Sequence, residues 1–172
     1  MIYRFGNTIP FISKTAFIAE TACIIGDVSI GERTSVWFNS VIRGDRARIS
    51  IGKDCSIQDN AVIHSDENEV NIGDGVIMGH GSIVHGNMIG NNALIGINAT
   101  VLHGAQVGEY AIVAAGALVP PKYKVPPNTV VMGVPCKEVR KTTEEDIENI
   151  RSTLRNYAKL TGQYLRDSGK KL

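Results

Sequence analysis

The residues with the clearest chemical potential are three histidines, His64, His80 and His85, out of four in the whole chain. Neutral imidazole nitrogens are ligands of zinc and of other first-row divalent metals. Three protein ligands with one position left open for water are the pattern of catalytic rather than structural zinc. The sequence therefore predicts one kind of divalent metal site, with Zn²⁺ as the first expectation and Fe²⁺ or Co²⁺ as alternatives.

A short internal repeat determines whether these side chains can meet. An aliphatic residue returns about every six positions and is usually followed by a small residue. The repeat units begin at Ile25, Ile30, Ile51, Ile57, Ile63, Ile72, Met78, Val84, Ile89, Ile95, Val101, Val107 and Val113. The spacing falls to five after Ile25 and after Val84. A hexad period is typical of a parallel β-helix, in which three hexads complete one coil, so an all-β solenoid is predicted.

The repeat places His64 and His85 at the same position of units that are one coil apart. Their imidazoles should lie one above the other at the strand spacing of about 4.8 Å, where they can share a metal. His80 falls on a different face, so we expect it to reach the site from a neighbouring chain in a closed ring of three. His103 is one position out of register and is predicted to be a surface or interface residue, with an acid–base role as the alternative.

Four other polar residues are candidates for roles around the histidines, and the register places one of them, Asp59, beside a histidine. Asp59 stands 21 residues before His80 at the same unit position, so its carboxylate should orient that imidazole. Gln58 should face outward and hydrogen-bond a metal-bound water or the substrate. Arg43 and Asp45 share one strand face, where they form an ion pair between subunits or Arg43 also holds an anionic substrate.

The C-terminal part of the chain is predicted to be a helix that packs along the solenoid. A capping box, Thr142-x-x-Glu145, marks its start. The apolar stripe of this helix of roughly 20 residues should face the solenoid, with partner binding as the alternative. The predicted organisation is a β-helix over residues 1–140 and a helix with its tail over 141–172, together forming one structural domain.

The composition indicates which partners to expect. Lys and Arg number 18 against 17 Asp and Glu, a balance that argues against nucleic-acid or anionic-membrane binding. No stretch has the apolar length of a signal peptide or a membrane span. Cys23, Cys55 and Cys136 form no CxxC motif, so neither a disulfide framework nor a thiolate zinc site is indicated. We expect a cytoplasmic protein with a small-molecule substrate.

These residues also carry a family resemblance that covers nearly the whole chain. The segments VWFNSVIRGD, IGKDCSIQDNAVIH, MGHGSIVHG and GVPCKEVR resemble the γ-class carbonic anhydrase family, for which the H-x4-H core preceded by QDN-x3-H is specific. The family fold is a left-handed parallel β-helix, and the family assembles as homotrimers with metal sites at the interfaces. The resemblance implies these site residues: His64, His80 and His85 as ligands, Gln58 near the metal-bound solvent, Arg43 and Asp45 at the interface, and Tyr157 near the pocket.

The activity implied by the resemblance is a lyase reaction, the reversible hydration of carbon dioxide to bicarbonate by metal-bound hydroxide. Two departures from the active branch bear on it: Arg46 stands where that branch has a glutamate, and the loop after His64 is short, with Glu67 as its nearest carboxylate. Chains of this shorter type are similar to a branch whose hydration activity is often weak or unassigned.

Three other functions stay open. GVPCK resembles a segment on which hexapeptide acyltransferases bind coenzyme A. A thioesterase acting on an acyl-CoA could use the same metal. In a noncatalytic protein, the metal would only stabilise the assembled trimer.

Overall fold

The computed structural model describes residues 1–64 and 66–167, which form a left-handed parallel β-helix followed by one helix. Three flat sides stack parallel strands coil upon coil. The first side contains β1 (Ile2–Tyr3), β4 (Cys23–Ile30), β6 (Val41–Ile51), β8 (Val62–His64), β11 (Ile83–Val84), β14 (Thr100–Val101) and β17 (Leu118–Val119). The second side contains β2 (Phe11–Ile12), β9 (Val70–Ile72), β12 (Met88–Ile89), β15 (Gln106–Val107) and β18 (Lys124–Val125).

Among the strands described, one pair is antiparallel, and it lies at the end of the third side. Its strands are β3 (Phe17–Ile18), β5 (Ser35–Val36), β7 (Ser56–Ile57), β10 (Ile77–Met78), β13 (Leu94–Ile95), β16 (Ile112–Val113), β19 (Thr129–Met132) and β20 (Lys137–Lys141). Here β20 turns back against β19. The first and second sides are joined because β6 pairs with β8 at its beginning and with β9 at its end.

Inward-facing aliphatic residues form one continuous core, as the hexad repeat predicts. Val84, for example, pairs in register with Ile63 on one coil and with Val101 on the next, and all three are fully buried. Each side chain is therefore covered by its equivalents above and below, so the core is built from neighbouring coils only.

The predicted repeat is wrong at its first unit. Ile24, not Ile25, is the residue that faces the core at this point of β4, because burial alternates strictly along that strand. The corrected start restores a six-residue step to Ile30 and removes one of the two five-residue steps. Two further inward residues, Val36 and Ile42, were not recognised as unit leaders and are fully buried.

The corners between the sides use left-handed backbone, which Asn and Gly tolerate. Within the part of the chain that the structure describes, nine non-glycine residues have positive φ, and five of them are asparagines. One corner matters for the site: Asn60 (φ 60°) and Gly81 (φ 66°) directly follow Asp59 and His80. The Gly81 amide donates to the Asp59 carbonyl at 2.9 Å, so Asp59 and His80 are held one above the other.

The helix α1 (Glu144–Asp167) is 24 residues long and begins one residue later than the predicted capping box requires. The Asp146 amide donates to Thr143 Oγ1 at 3.2 Å, and the Thr143 amide donates to Asp146 Oδ2 at 2.8 Å. The box is therefore Thr143 with Asp146, and the prediction of Thr142 with Glu145 was wrong. Arg140 explains the shift, because its guanidinium binds both carboxylate oxygens of Asp146.

Helix α1 lies against the third side of the solenoid through aromatic packing. Ile150 is its fully buried residue, and the rings of Tyr157 and Tyr164 meet Trp37 edge-on at centroid distances of 5.3 and 5.4 Å. The contact confirms the predicted packing along the solenoid, although the aromatic cluster itself was not anticipated. The end of the predicted tail, 168–172, lies outside the described residues. Across 1–64 and 66–167, no helix combines the length and apolarity needed to cross a membrane.

Candidate metal centre

His64 and His85 lie side by side on adjacent coils of the first side. His64 ends β8 and His85 follows β11, and the pairing of Val84 with Ile63 puts the two histidines in register. Their ring centroids are 5.4 Å apart with the planes tilted by 46°. The structure therefore contains the stacking that the repeat predicts, while the role of the two rings as ligands stays a prediction.

Asp45 holds the ring of His64 from the coil before it. Its Oδ1 lies 3.0 Å from His64 Nε2, and its Oδ2 accepts a hydrogen bond from Arg43 Nη1 at 2.5 Å. Burial alone would raise the pKa of the Asp45 carboxyl, but the hydrogen bonds from Arg43 and His64 outweigh it and hold the pKa below its ordinary value. A charged carboxylate thus fixes the orientation of the imidazole and leaves its other nitrogen for a ligand.

The expectation of a role between two subunits stays a prediction, while within one chain Arg43 and Asp45 already form an ion pair. The reason is that the two side chains stand two residues apart on β6 and project from the same strand face. The Arg43 side chain remains 42% exposed, so part of its guanidinium stays available at the surface.

His80 occupies a different corner and has its own two partners. Asp59 Oδ2 lies 2.9 Å from His80 Nδ1, and the Tyr157 hydroxyl lies 3.3 Å from His80 Nε2. Burial, helped by the charge of Asp59, raises the pKa of the Tyr157 hydroxyl, so the phenol is protonated near neutral pH. The helix therefore places the Tyr157 hydroxyl beside His80.

Within the described part of the chain, one group of side chains offers ligand atoms that all lie within 4.8 Å of one another: His64, Asp66 and His85. His80 is not part of this group. Asp66 was missed by the sequence reasoning, which considered only Glu67 of the same loop. The available signal was an acidic run directly after His64, but the sequence alone does not tell which carboxylate turns inward.

Gln58, which is predicted to face outward from the solenoid, is buried in this chain. It is only 5% exposed, because the register of Val36 with Ile57 places it next to Trp37, beneath the side that helix α1 covers. Its predicted contact with a metal-bound water or the substrate stays a prediction.

A cavity of about 280 Å³ opens beside His85. Its walls include Asp66, Glu67 and His103. His103 is exposed there, which fits its prediction as a surface residue and also brings it to the same cavity as His85. The space next to the histidine pair is therefore lined by polar groups that accept or donate protons.

The fold and the six-residue repeat are those of a hexapeptide-repeat protein. The family model described as bacterial transferase hexapeptide (six repeats) matches residues 88–121. A carbonic anhydrase of Geobacillus kaustophilus is 47% identical over 165 residues, covering 95% of this chain and 90% of that protein. The mitochondrial gamma carbonic anhydrase 2 of Arabidopsis thaliana is 37% identical over 168 residues, covering 94% of this chain and 60% of that protein. The chain belongs to the γ-class carbonic anhydrase family.

A solved structure extends the comparison in another direction. A Bacillus cereus protein described as a proposed acetyltransferase superimposes with a TM-score of 0.92 at 38% identity, covering 95% of each chain. The fold thus carries more than one described activity, so the function has to be argued from the site.

Proposed function

We propose that the protein is a metal-dependent carbonic anhydrase that hydrates carbon dioxide reversibly to bicarbonate at sites between subunits of a homotrimer. One observation carries the proposal: His64 and His85 stack at 5.4 Å, and two of the three histidines are held by a carboxylate at one ring nitrogen, His64 by Asp45 and His80 by Asp59. Carboxylate–imidazole pairs of this kind orient metal ligands.

The donor set fits the metal that the family implies. Imidazoles suit Zn²⁺, Fe²⁺ and Co²⁺, and the stacked pair needs only one or two more donors to complete a site. A bound divalent metal would act as a Lewis acid and lower the pKa of water toward neutrality. Zn²⁺ is the proposed metal, with Fe²⁺ or Co²⁺ as substitutes.

The third histidine supports the proposed trimer. His80 stands at another corner, outside the group that contains His64 and His85. Repeating one contact between unlike surfaces closes a ring, in which His80 of each chain would meet the histidine pair of the next.

The remaining residues have proposed roles in binding and orientation. Asp45 and Asp59 hold the rings of His64 and His80. Arg43, partly exposed, would attract the bicarbonate anion with its free N–H groups. The Tyr157 hydroxyl would donate a hydrogen bond to the substrate. We propose that Gln58, although buried in the single chain, also orients the substrate.

The interface arrangement is tested with mixed trimers. His80→Ala and His64→Ala chains, carrying different tags, are co-expressed, and the mixed oligomers are dialysed against a chelator before zinc is measured. Either variant alone should lose its zinc. Random mixtures should keep about a quarter of the wild-type content, because one interface in four pairs an intact His64 with an intact His80. A His80→Ala protein that holds zinc as firmly as the wild type would overturn the proposed site.

The reaction is tested by stopped-flow hydration of carbon dioxide with zinc-loaded and anaerobically iron(II)-loaded protein. Turnover that disappears in the His85→Ala variant supports the proposal. Turnover that survives this substitution, or is absent with both metals, contradicts it.

A second candidate is a hexapeptide acyltransferase or thioesterase that acts on an acyl-CoA, which the described Bacillus cereus structure favours. An acyltransferase needs a single histidine as general base rather than three histidines with carboxylate partners. Acyl transfer from acetyl-coenzyme A, with no hydration activity, would select this candidate. Zinc binding without either activity would select a noncatalytic, metal-stapled trimer.

A further inference from the structure

Asp66 lies between two groups that the sequence had not connected. Its Oδ2 is 3.5 Å from His85 Nε2, and its Oδ1 is 3.4 Å from Arg46 Nη1. Since imidazole and carboxylate ligands bond to zinc at about 2.0–2.2 Å, two donors of one metal lie about 3–4 Å apart. The separation of Asp66 from His85 therefore falls in the range expected for two ligands of one ion.

Arg46 stands where the active branch has a glutamate, and the structure shows what it does instead. Its guanidinium reaches from β6 to the loop after His64 and pairs with Asp66. The contacts of Asp66 use different oxygens, so Oδ2 can face a metal without the loss of the Arg46 contact. Arg46 also compensates the charge of a carboxylate that is held close to the site.

We infer that Asp66 is a further protein ligand of the metal site and that Arg46 is its positioning residue. This inference rests on the proposed function. A single chain then carries a set of two histidines and one carboxylate. When His80 of a neighbour joins, the site has four protein ligands, the number typical of structural zinc, and water must compete with Asp66 for a coordination position. Arg46 and the short loop after His64 thus act together to decide whether a coordination position stays open for water.

The test compares metal affinity in purified full-length protein and its variants. Zinc affinity is measured by competition with a chromophoric chelator, and the coordination of Co²⁺ is followed by its visible absorption. Loss of a residue that only orients a metal ligand costs roughly 10- to 100-fold in affinity, so loss of a direct ligand in Asp66→Ala should weaken zinc binding at least that much and change the Co²⁺ spectrum. Glu67→Gln is the matched control, because Glu67 belongs to the same loop and lines the same cavity. It should leave both measurements unchanged.

Two further variants define the roles of Arg46 and His80. Arg46→Ala should weaken zinc binding less than Asp66→Ala does, and Arg46→Lys should restore it in part. His80→Ala should retain binding through the three in-chain ligands that is measurable by competition but too weak to survive dialysis against a chelator, and the double variant with Asp66→Ala should lose this binding as well.

The outcomes separate this inference from the proposed function. If His64→Ala and His85→Ala abolish zinc binding while Asp66→Ala equals Glu67→Gln in affinity and Co²⁺ spectrum, the Asp66 assignment is wrong and the proposed site stands. If His64→Ala and His85→Ala also bind zinc like the wild type, the proposed site itself is wrong.

Discussion

At the scale of single residues, carboxylates decide how the histidines of this protein are presented. Asp45, Asp59 and Asp66 each lie within 3.5 Å of a different imidazole, and Arg43 and Arg46 hold two of these carboxylates in turn. The arginine–aspartate–histidine connections restrict rotamers that would otherwise cost entropy to order on metal binding.

Asp45→Asn should weaken zinc binding by roughly 10- to 100-fold, because the charged partner that orients His64 is lost. The measurement is chelator competition on the purified oligomer. Asp54→Asn is the control, since Asp54 also pairs with an arginine, Arg33, but at a corner without histidine. Equal affinities for the two variants would contradict the orienting role of Asp45.

Tyr157→Phe should lower the turnover number for carbon dioxide hydration while leaving stability within about 0.5 kcal/mol, because only a part-exposed hydroxyl is removed. The ring contact with Trp37 is kept, and the hydroxyl 3.3 Å from His80 Nε2 is lost. Stopped-flow kinetics and thermal unfolding provide the two readouts. Tyr164→Phe, on a ring that also packs on Trp37, should change neither, and a loss of turnover there would count against a specific role for Tyr157.

At the scale of elements, the start of helix α1 shows why a capping box found in the sequence does not by itself determine the residue at which the helix begins. Thr142-x-x-Glu145 and Thr143-x-x-Asp146 are both acceptable capping boxes by sequence. The choice is made by Arg140 in β20, whose guanidinium binds the Asp146 carboxylate. A contact between two elements therefore selects one of two locally equivalent starts.

Thr143→Ala should destabilise the protein by about 1 kcal/mol, whereas Thr142→Ala, at the rejected cap, should cost less. Thermal unfolding of both variants at neutral pH is the measurement. A larger loss of stability for Thr142→Ala would show that Thr142, not Thr143, caps the helix in solution.

The same cap should give stability a dependence on acid. The Arg140 hydrogen bond, followed by the Thr143 amide, lowers the pKa of Asp146 below its ordinary value. A depressed folded-state pKa means that this stabilisation is fully present above the unfolded pKa of about 4 and is lost as pH falls below it. Asp146→Asn should therefore reduce the loss of unfolding free energy between neutral and acidic pH, measured by denaturant unfolding. An equal loss in the variant and the wild type would argue against this role of Asp146.

At the scale of the whole molecule, each coil repeats the same three sides, so positions one coil apart are brought together wherever the repeat is unbroken. This is why His64 stacks on His85 and Asp59 on His80. The same geometry keeps His80 away from the histidine pair within one chain, so in the proposed site His80 would come from a second chain.

Removing the metal should weaken the oligomer as well as the site. If His80 is donated across the interface, bound metal stabilises the assembled form by about 4 kcal/mol when its concentration is 1,000 times its Kd. Chelator treatment should then lower the Tm and shift the protein to smaller species in light scattering at micromolar concentration. The His64→Ala variant should show no such shift with chelator, and a wild-type trimer indifferent to chelator would contradict the shared site.

The sequence by itself determined the solenoid, the stacking of His64 with His85, and the pairing of Asp59 with His80. These follow from a period, and a period is a local property that strand geometry converts directly into neighbours. The tertiary structure alone decided the remaining features: Asp66 turning to His85, the burial of Gln58 beside Trp37, and the cap at Thr143. Each of these depends on contacts between a loop or helix and another element, where no repeat specifies the distance.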